Sequence, residues 1–117
     1  MNIENTQAQM RKGILEYCIL LIVAGKDSYV QDIINKLKDS KILVVEGTLY
    51  PLMTRLKNAG LLSYRWEESP QGPPRKYYSI TAEGQQALKA LENSWNELIT
   101  SIETLKTSHC NHSTHLS

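Results

Sequence analysis

The sequence predicts a mostly α fold with one small β-hairpin (α+β), and three observations lead to it. Apolar residues recur at i, i+3, i+4 and i+7 in two short stretches, Val30-Ile33-Ile34-Leu37 and Leu49-Leu52-Met53-Leu56, as one face of an amphipathic helix requires. Between Leu62 and Ile80, apolar or aromatic residues alternate with polar ones on both sides of a proline- and glycine-rich cluster, the pattern of two half-buried strands and their turn. Leu88, Leu91, Trp95, Leu98, Ile102 and Leu105 keep a/d heptad spacing, which marks a long terminal helix. A chain of 117 residues builds one core and not two.

The first helix is expected from a cap at Asn5 or Thr6 to about Ala24, with Gly25 ending it. Met10, Ile14, Cys18 and Leu21 form its stripe, broadened by Tyr17, Leu20 and Ile22. A helix apolar on most sides must be covered on most sides, and in so small a chain this points to a second subunit. The run Ile14–Ala24 behind Arg11-Lys12 has the look of a signal peptide, but Glu16 interrupts it and it is too short for a bilayer. It reads as a buried helix, and no membrane partner is expected. Asp27 or Ser28 caps the second helix, Asp39–Lys41 turns, and Ile42-Leu43-Val44-Val45 is branched enough for a brief strand.

The third helix, about residues 46–59, turns Leu49, Leu52, Met53 and Leu56 inward, and Gly60 stops it. Its other face carries Gly47, Pro51, Thr54 and Asn58, flanked by Thr48, Tyr50, Arg55 and Lys57. Hydroxyls, a phenol and cations with few acids suit contacts to phosphates and base edges, although any surface helix has a polar face. Pro51 lacks an amide hydrogen and clashes with the carbonyl four residues back, so it belongs in a first turn, with Gly47 easing the crowding. That places Thr48, Tyr50 and Pro51 at the helix's N-terminal end. Two short amphipathic helices a few residues apart fit a helix-turn-helix, whose second helix meets the DNA major groove by that end.

Leu62, Tyr64 and Trp66 then alternate with Ser63, Arg65 and Glu67, Glu68–Pro74 breaks the pattern, and Arg75–Ile80 resumes it. Appended to a helix-turn-helix, such a hairpin is a wing, residues 68–76, with Arg75 and Lys76 placed to lie along a phosphate backbone. A plain edge hairpin with snorkelling cations has the same pattern. The charge distribution favours a polyanion-facing surface. Between Lys36 and Lys76 eight cations stand against four acids, whereas residues 81–107 hold two lysines and four glutamates, although the formal net charge is only +1.

Thr81 caps the last helix, residues 81–107, with Glu83 in its first turn where the helix dipole favours an acid. The stripe from Leu88 to Leu105 is longer than one small core readily buries. Pairing with its own copy, or with the Met10–Ile14 face of a second copy, is the economical solution; packing on its own chain is the alternative. The chain thus divides into a winged helix-turn-helix (5–80), a dimerisation helix (81–107) and a disordered tail (108–117). In that tail His109, Cys110, His112 and His115 tempt a metal reading, but the spacing matches no structural zinc pattern. No metal and no other cofactor is expected. Two cysteines, Cys18 and Cys110, make no disulfide framework, so the cytoplasm is the expected compartment. No carboxylate pair, nucleophile with base or phosphate loop stands out, and no enzyme is expected.

The segment Gly47-Thr48-Leu49-Tyr50-Pro51-Leu52, continued by Arg55-Leu56 and Ala59-Gly60-Leu61-Leu62, resembles the recognition helix of the PadR-like transcriptional regulators. Pro73-Pro74-Arg75-Lys76-Tyr77-Tyr78-Ser79-Ile80-Thr81, with Gly84, resembles that family's wing and the entry to its C-terminal helix. With the second helix, the resemblance covers most of Gly13–Gly84. It implies a dimeric winged-helix DNA binder, usually a repressor, with Thr48, Tyr50, Pro51 and Arg55 facing DNA and Arg75 and Lys76 on its backbone. Thr54 and Lys57 share the DNA-facing side of the helix. The single C-terminal helix is similar to the family's short branch, which implies a flat aromatic effector at the dimer interface, stacked on a tryptophan at the position of Trp95. At a heptad position, plain interface packing is the simpler role for Trp95. Ser28-Tyr29-Val30 departs from the family's usual glycine, and the histidine-rich tail has no counterpart there. The expected function is a homodimeric regulator that reads a palindromic operator in double-stranded DNA; the alternative is a winged-helix protein–protein module without DNA binding, against which the basic positions speak.

Overall fold

The structure, a computed structural model, describes residues 2–116, with side chains described through residue 108. Four helices and one antiparallel hairpin follow in the order α1 (Ile3–Gly25), α2 (Val30–Asp39), α3 (Glu46–Asn58), β1 (Leu62–Ser69), β2 (Gly72–Ile80) and α4 (Ala82–Leu116). α1 starts before the expected caps Asn5 and Thr6. Asn2 Oδ1 accepts the N–H groups of Glu4 and Asn5 at 3.0 and 3.3 Å, and Glu4 then sits in the first turn.

The core is built from three helix faces. Val30, Ile33 and Leu37 of α2 and Leu49, Leu52, Met53 and Leu56 of α3 are buried, as their spacing predicts. α1 meets them with Leu15, Ile19, Leu20 and Val23; of the expected stripe of Met10, Ile14, Cys18 and Leu21, Cys18 packs partly against this core and none is fully buried. A helix apolar nearly all round offers two faces; the core takes one and leaves Met10 66% and Leu21 41% exposed on the other. Leu62 and Tyr78 close the core from the hairpin side.

Asp27 and Ser28 do not cap α2. The cap is Tyr29, whose N–H donates to Asp32 Oδ2 at 3.0 Å, because Ser28 is engaged elsewhere. Its N–H donates to the Tyr78 carbonyl at 3.0 Å and its own carbonyl accepts the Tyr78 N–H at 2.9 Å, which adds a one-residue third strand beside β2. Residues 42–45, expected as a brief strand, are not one. Lys41 instead takes φ 70° and Ile42 N–H returns to the Leu37 carbonyl at 2.8 Å, a left-handed helix stop with lysine where glycine is usual.

β1 and β2 pair with Leu62 opposite Ile80, Tyr64 opposite Tyr78 and Trp66 opposite Lys76. The turn is only Pro70-Gln71, tighter than the Glu68–Pro74 breaker cluster suggests, and Pro73 and Pro74 lie within β2. Successive strand residues direct their N–H sites to opposite edges, so the open edge accommodates one proline without loss of a ladder bond. The pair as a whole lies opposite the register shift between Glu67 and Ser69. Side-chain cover falls away along the ribbon, from Leu62 at 2% exposed to Trp66 at 62%.

Gly60, at φ +80°, ends α3, and Thr81 staples the hairpin to α4. Thr81 Oγ1 donates to the Gly60 carbonyl at 2.6 Å and accepts the Gly84 N–H at 2.9 Å, while Thr81 N–H donates to the Leu61 carbonyl at 3.1 Å. α4 runs to Leu116, past the expected end at residue 107. Between Thr107 and Leu116 stand no glycine and no proline, so nothing in the covalent chain stops the helix there. The His109, Cys110, His112 and His115 side chains lie outside the described residues. Among the described residues, no helix is long and apolar enough to cross a membrane.

Candidate nucleic-acid interface

α3 buries its apolar stripe against the core and so presents Thr48, Tyr50, Pro51, Thr54, Arg55 and Lys57 outward, all exposed. Pro51 is the sixth residue of the helix, in its second turn and not its first; it leaves the Gly47 carbonyl without a ladder donor on the exposed side. Tyr50, 49% exposed, lies on the flank that looks toward the hairpin. There α3, the start of α2 and the hairpin enclose a groove of about 480 Å³, with Tyr29, Gln31, Glu46, Tyr50, Trp66, Arg75 and Lys76 among its walls.

The cations of this groove rest on aromatic rings. Arg75 Cζ stands 4.0 Å above the Tyr29 ring, Tyr29 stacks on Tyr77 at 4.6 Å, and Arg65 Cζ covers Tyr77 at 4.5 Å. Arg65 is itself tied to Asp27 at 3.3 Å and Glu67 at 2.9 Å. On the other face of the hairpin, Lys76 Nζ lies 4.6 Å from the Tyr64 ring and 5.6 Å from Trp66, with Lys57 Nζ at 5.9 Å from Tyr64. Such contacts contribute about 0.5–1 kcal/mol each at exposed sites. They fix a cation's position without a counter-charge, so Arg75 and Lys76 keep their full charge for an anion. Burial, with Tyr64 and Tyr50 nearby, pushes the Tyr78 phenol above its ordinary range, so the groove floor stays neutral.

The structure therefore brings Tyr50, Arg75 and Lys76 into one groove. Thr48, Pro51 and Thr54 lie outside it on the open face of α3, and Lys57 faces β1. Arg55 is placed differently: its guanidinium pairs with Glu16 of α1. Sequence reasoning missed Tyr29, Gln31, Glu46 and Trp66 as groove residues. Tyr29 meets the Arg75 guanidinium directly, across 46 positions of chain, and no local pattern announces such a contact.

A second surface runs along α1 and α4. Leu88 is half-buried against the core and Ile14 half-buried nearby, but beyond them Leu91, Trp95, Leu98, Ile102 and Leu105 are 36–69% exposed. Ile99, at 39%, joins that row although it stands off the heptad positions. Trp95 packs on Tyr17 with ring centroids 6.2 Å apart. Cys18 is half-buried, and burial pushes its thiol up. Among the described residues, no three His, Cys, Asp or Glu side chains gather as a metal ion would need.

Two helices joined by a short turn, the second with an open polar face, and a cation-bearing hairpin folded beside it define a winged helix. Residues 19–90 match the family described as transcriptional regulator PadR-like. The chain belongs to the PadR-like family of transcriptional regulators. It is 56% identical to a PadR-like transcription factor from Bacteroides fragilis, over 86% of this chain and 98% of that one, with a TM-score of 0.76. A PadR family regulator from Eggerthella lenta is 32% identical, over 88% and 90% of the two chains, with a TM-score of 0.79. One from Bacillus cereus is 37% identical, over 83% and 95%, with a TM-score of 0.73. An uncharacterised protein of Lysinibacillus sphaericus is 32% identical over 91 residues, 74% of this chain and 83% of that protein.

Proposed function

We propose that this protein is a homodimeric repressor in the cytoplasm: residues 5–80 read DNA, residues 81–107 pair the two copies, and two α3 helices enter the major groove of a palindromic operator. The observation that carries the reading is the shared groove, in which Tyr50 of α3 meets Arg75 and Lys76 of the hairpin. A duplex seated on α3 by Thr48, Tyr50, Pro51, Thr54, Arg55 and Lys57 thus has its backbone within reach of the hairpin's cations. The uncovered row from Leu91 to Leu105, with Met10 also exposed on α1, supports a second copy as its cover, since apolar surface left in water is unfavourable.

A salt-series titration tests this on a duplex selected by the protein from a random pool. Affinity should fall steeply with salt, and the Arg75→Ala/Lys76→Ala double substitution should flatten the log–log slope by about two, each lost phosphate contact removing roughly 0.9. No selected duplex and no salt slope would leave the protein–protein module in its place.

Trp95, 36% exposed and tilted against Tyr17, supports a flat aromatic effector between the copies that changes the separation of the two α3 helices. In a Trp66→Phe background, a planar aromatic cation should quench Trp95 fluorescence and weaken operator binding. Quenching at unchanged operator affinity removes the regulatory part.

A further inference from the structure

Glu16 belongs to neither of the surfaces described above, and yet it touches the reading helix. It projects from α1 with a side chain only 13% exposed, and its Oε2 accepts from Nη2 of Arg55, whose side chain is 61% exposed. An ion pair with so open a partner adds little to stability, because water already solvates the guanidinium and salt screens the attraction. Its effect lies elsewhere. It removes rotamers from a long side chain at the edge of the face that α3 presents to solvent. An arginine that is loose in the free protein must give up that freedom when it seats on a phosphate or a guanine edge; one already held by a carboxylate has given it up beforehand. Among the described residues, Nε and Nη1 of Arg55 have no partner, so donors remain for such a seat.

We propose that Glu16 is a positioning residue for Arg55: from the body of α1 it holds the guanidinium in a binding-ready pose on α3, and so raises affinity for the operator above that for other DNA. The proposal rests on the reading that α3 binds DNA, and it adds to that reading a residue that touches no DNA itself. The opposite role is also physically coherent. A carboxylate beside a cation competes with phosphate for it, and a mere competitor, once removed, would tighten binding.

A double-mutant cycle on affinity decides. Wild type, Glu16→Gln, Glu16→Ala, Arg55→Ala and the Glu16→Ala/Arg55→Ala pair are titrated onto the duplex selected by the wild type and onto a scrambled duplex of equal length and composition, with thermal unfolding of each as a check. Glu16→Ala should weaken binding to the selected duplex about five- to tenfold, the size expected when one rotamer-rich side chain must be ordered on binding. It should hold or slightly strengthen binding to the scrambled duplex, since an acid is lost near a polyanion, and should change nothing further once Arg55 is alanine. Glu16→Gln keeps an acceptor oxygen and should recover part of the loss; it carries the cycle if the alanine variant does not fold. Equal losses on both duplexes, additive effects in the cycle, or tighter binding of the selected duplex overturns the proposal while leaving the DNA-reading assignment intact. A wild type that selects no duplex overturns that assignment, and the role of Glu16 with it.

Discussion

Leu98→Glu is expected to give a folded single subunit that has lost roughly a hundredfold or more of its operator affinity, because the second half-site contact then ceases to be intramolecular. Leu98 is 57% exposed in the single chain, so a carboxylate there does not disturb the chain's own core. Across an interface with a second copy, the same carboxylate would be buried without a partner, at a penalty of several kcal/mol. Sedimentation velocity reads the subunit count and the operator titration reads the affinity. Unfolding should also become easier, since association stabilises whatever it binds. A Leu98→Glu protein that sediments as a dimer with full affinity would move the interface away from the α4 row.

Gly84→Ala should produce the largest loss of stability among the glycine-to-alanine substitutions of this chain. Gly84 is buried where α4 leaves the hairpin, and a Cβ there would press into the Leu61 carbonyl oxygen and lie 2.6 Å from Ile80 Cγ1. The carbonyl cannot retreat freely, since it accepts the Thr81 N–H that starts α4. Alanine in place of glycine normally favours a helix by about 1 kcal/mol. Overpacking against backbone costs more, about 3 kcal/mol at the upper end of its usual range. The net loss of about 2 kcal/mol should lower the melting temperature by roughly 10 °C in a domain of this size. Gly13 is the control, because a Cβ at that position meets nothing within 4 Å. Equal melting temperatures for Gly84→Ala and wild type would mean that the α4 joint yields.

Those two positions mark how far the sequence could be read. The stripe Leu49, Leu52, Met53 and Leu56 was legible because a short helix over a core has one period and one buried side, and all four residues are buried. α1 was legible as a helix but not as a face: apolar residues on nearly every side leave periodicity with two answers, and Leu15, Ile19, Leu20 and Val23 are the ones the core took. Ile42–Val45 had the composition of a strand, but the chain there leaves a left-handed helix stop at Lys41 and passes into α3 without pairing. The cations were legible as charges, not as partners. That Arg75 leans on Tyr29 and Arg55 on Glu16 depends on residues 46 and 39 positions away, and spacing along a chain is silent about such distances.

The two bonds between Ser28 and Tyr78 carry a mechanical consequence. With Asp27 held to Arg65 across the same seam, the hairpin is sewn to the loop before α2 as well as, through Thr81, to the start of α4. The hairpin and the entry to α2 are thereby joined at more than one point, like the fixed jaw of a wrench. On the proposed dimer, tolerance for imperfect DNA is therefore expected from the flex of the duplex or from the angle between two such jaws, and not from loosening within one of them.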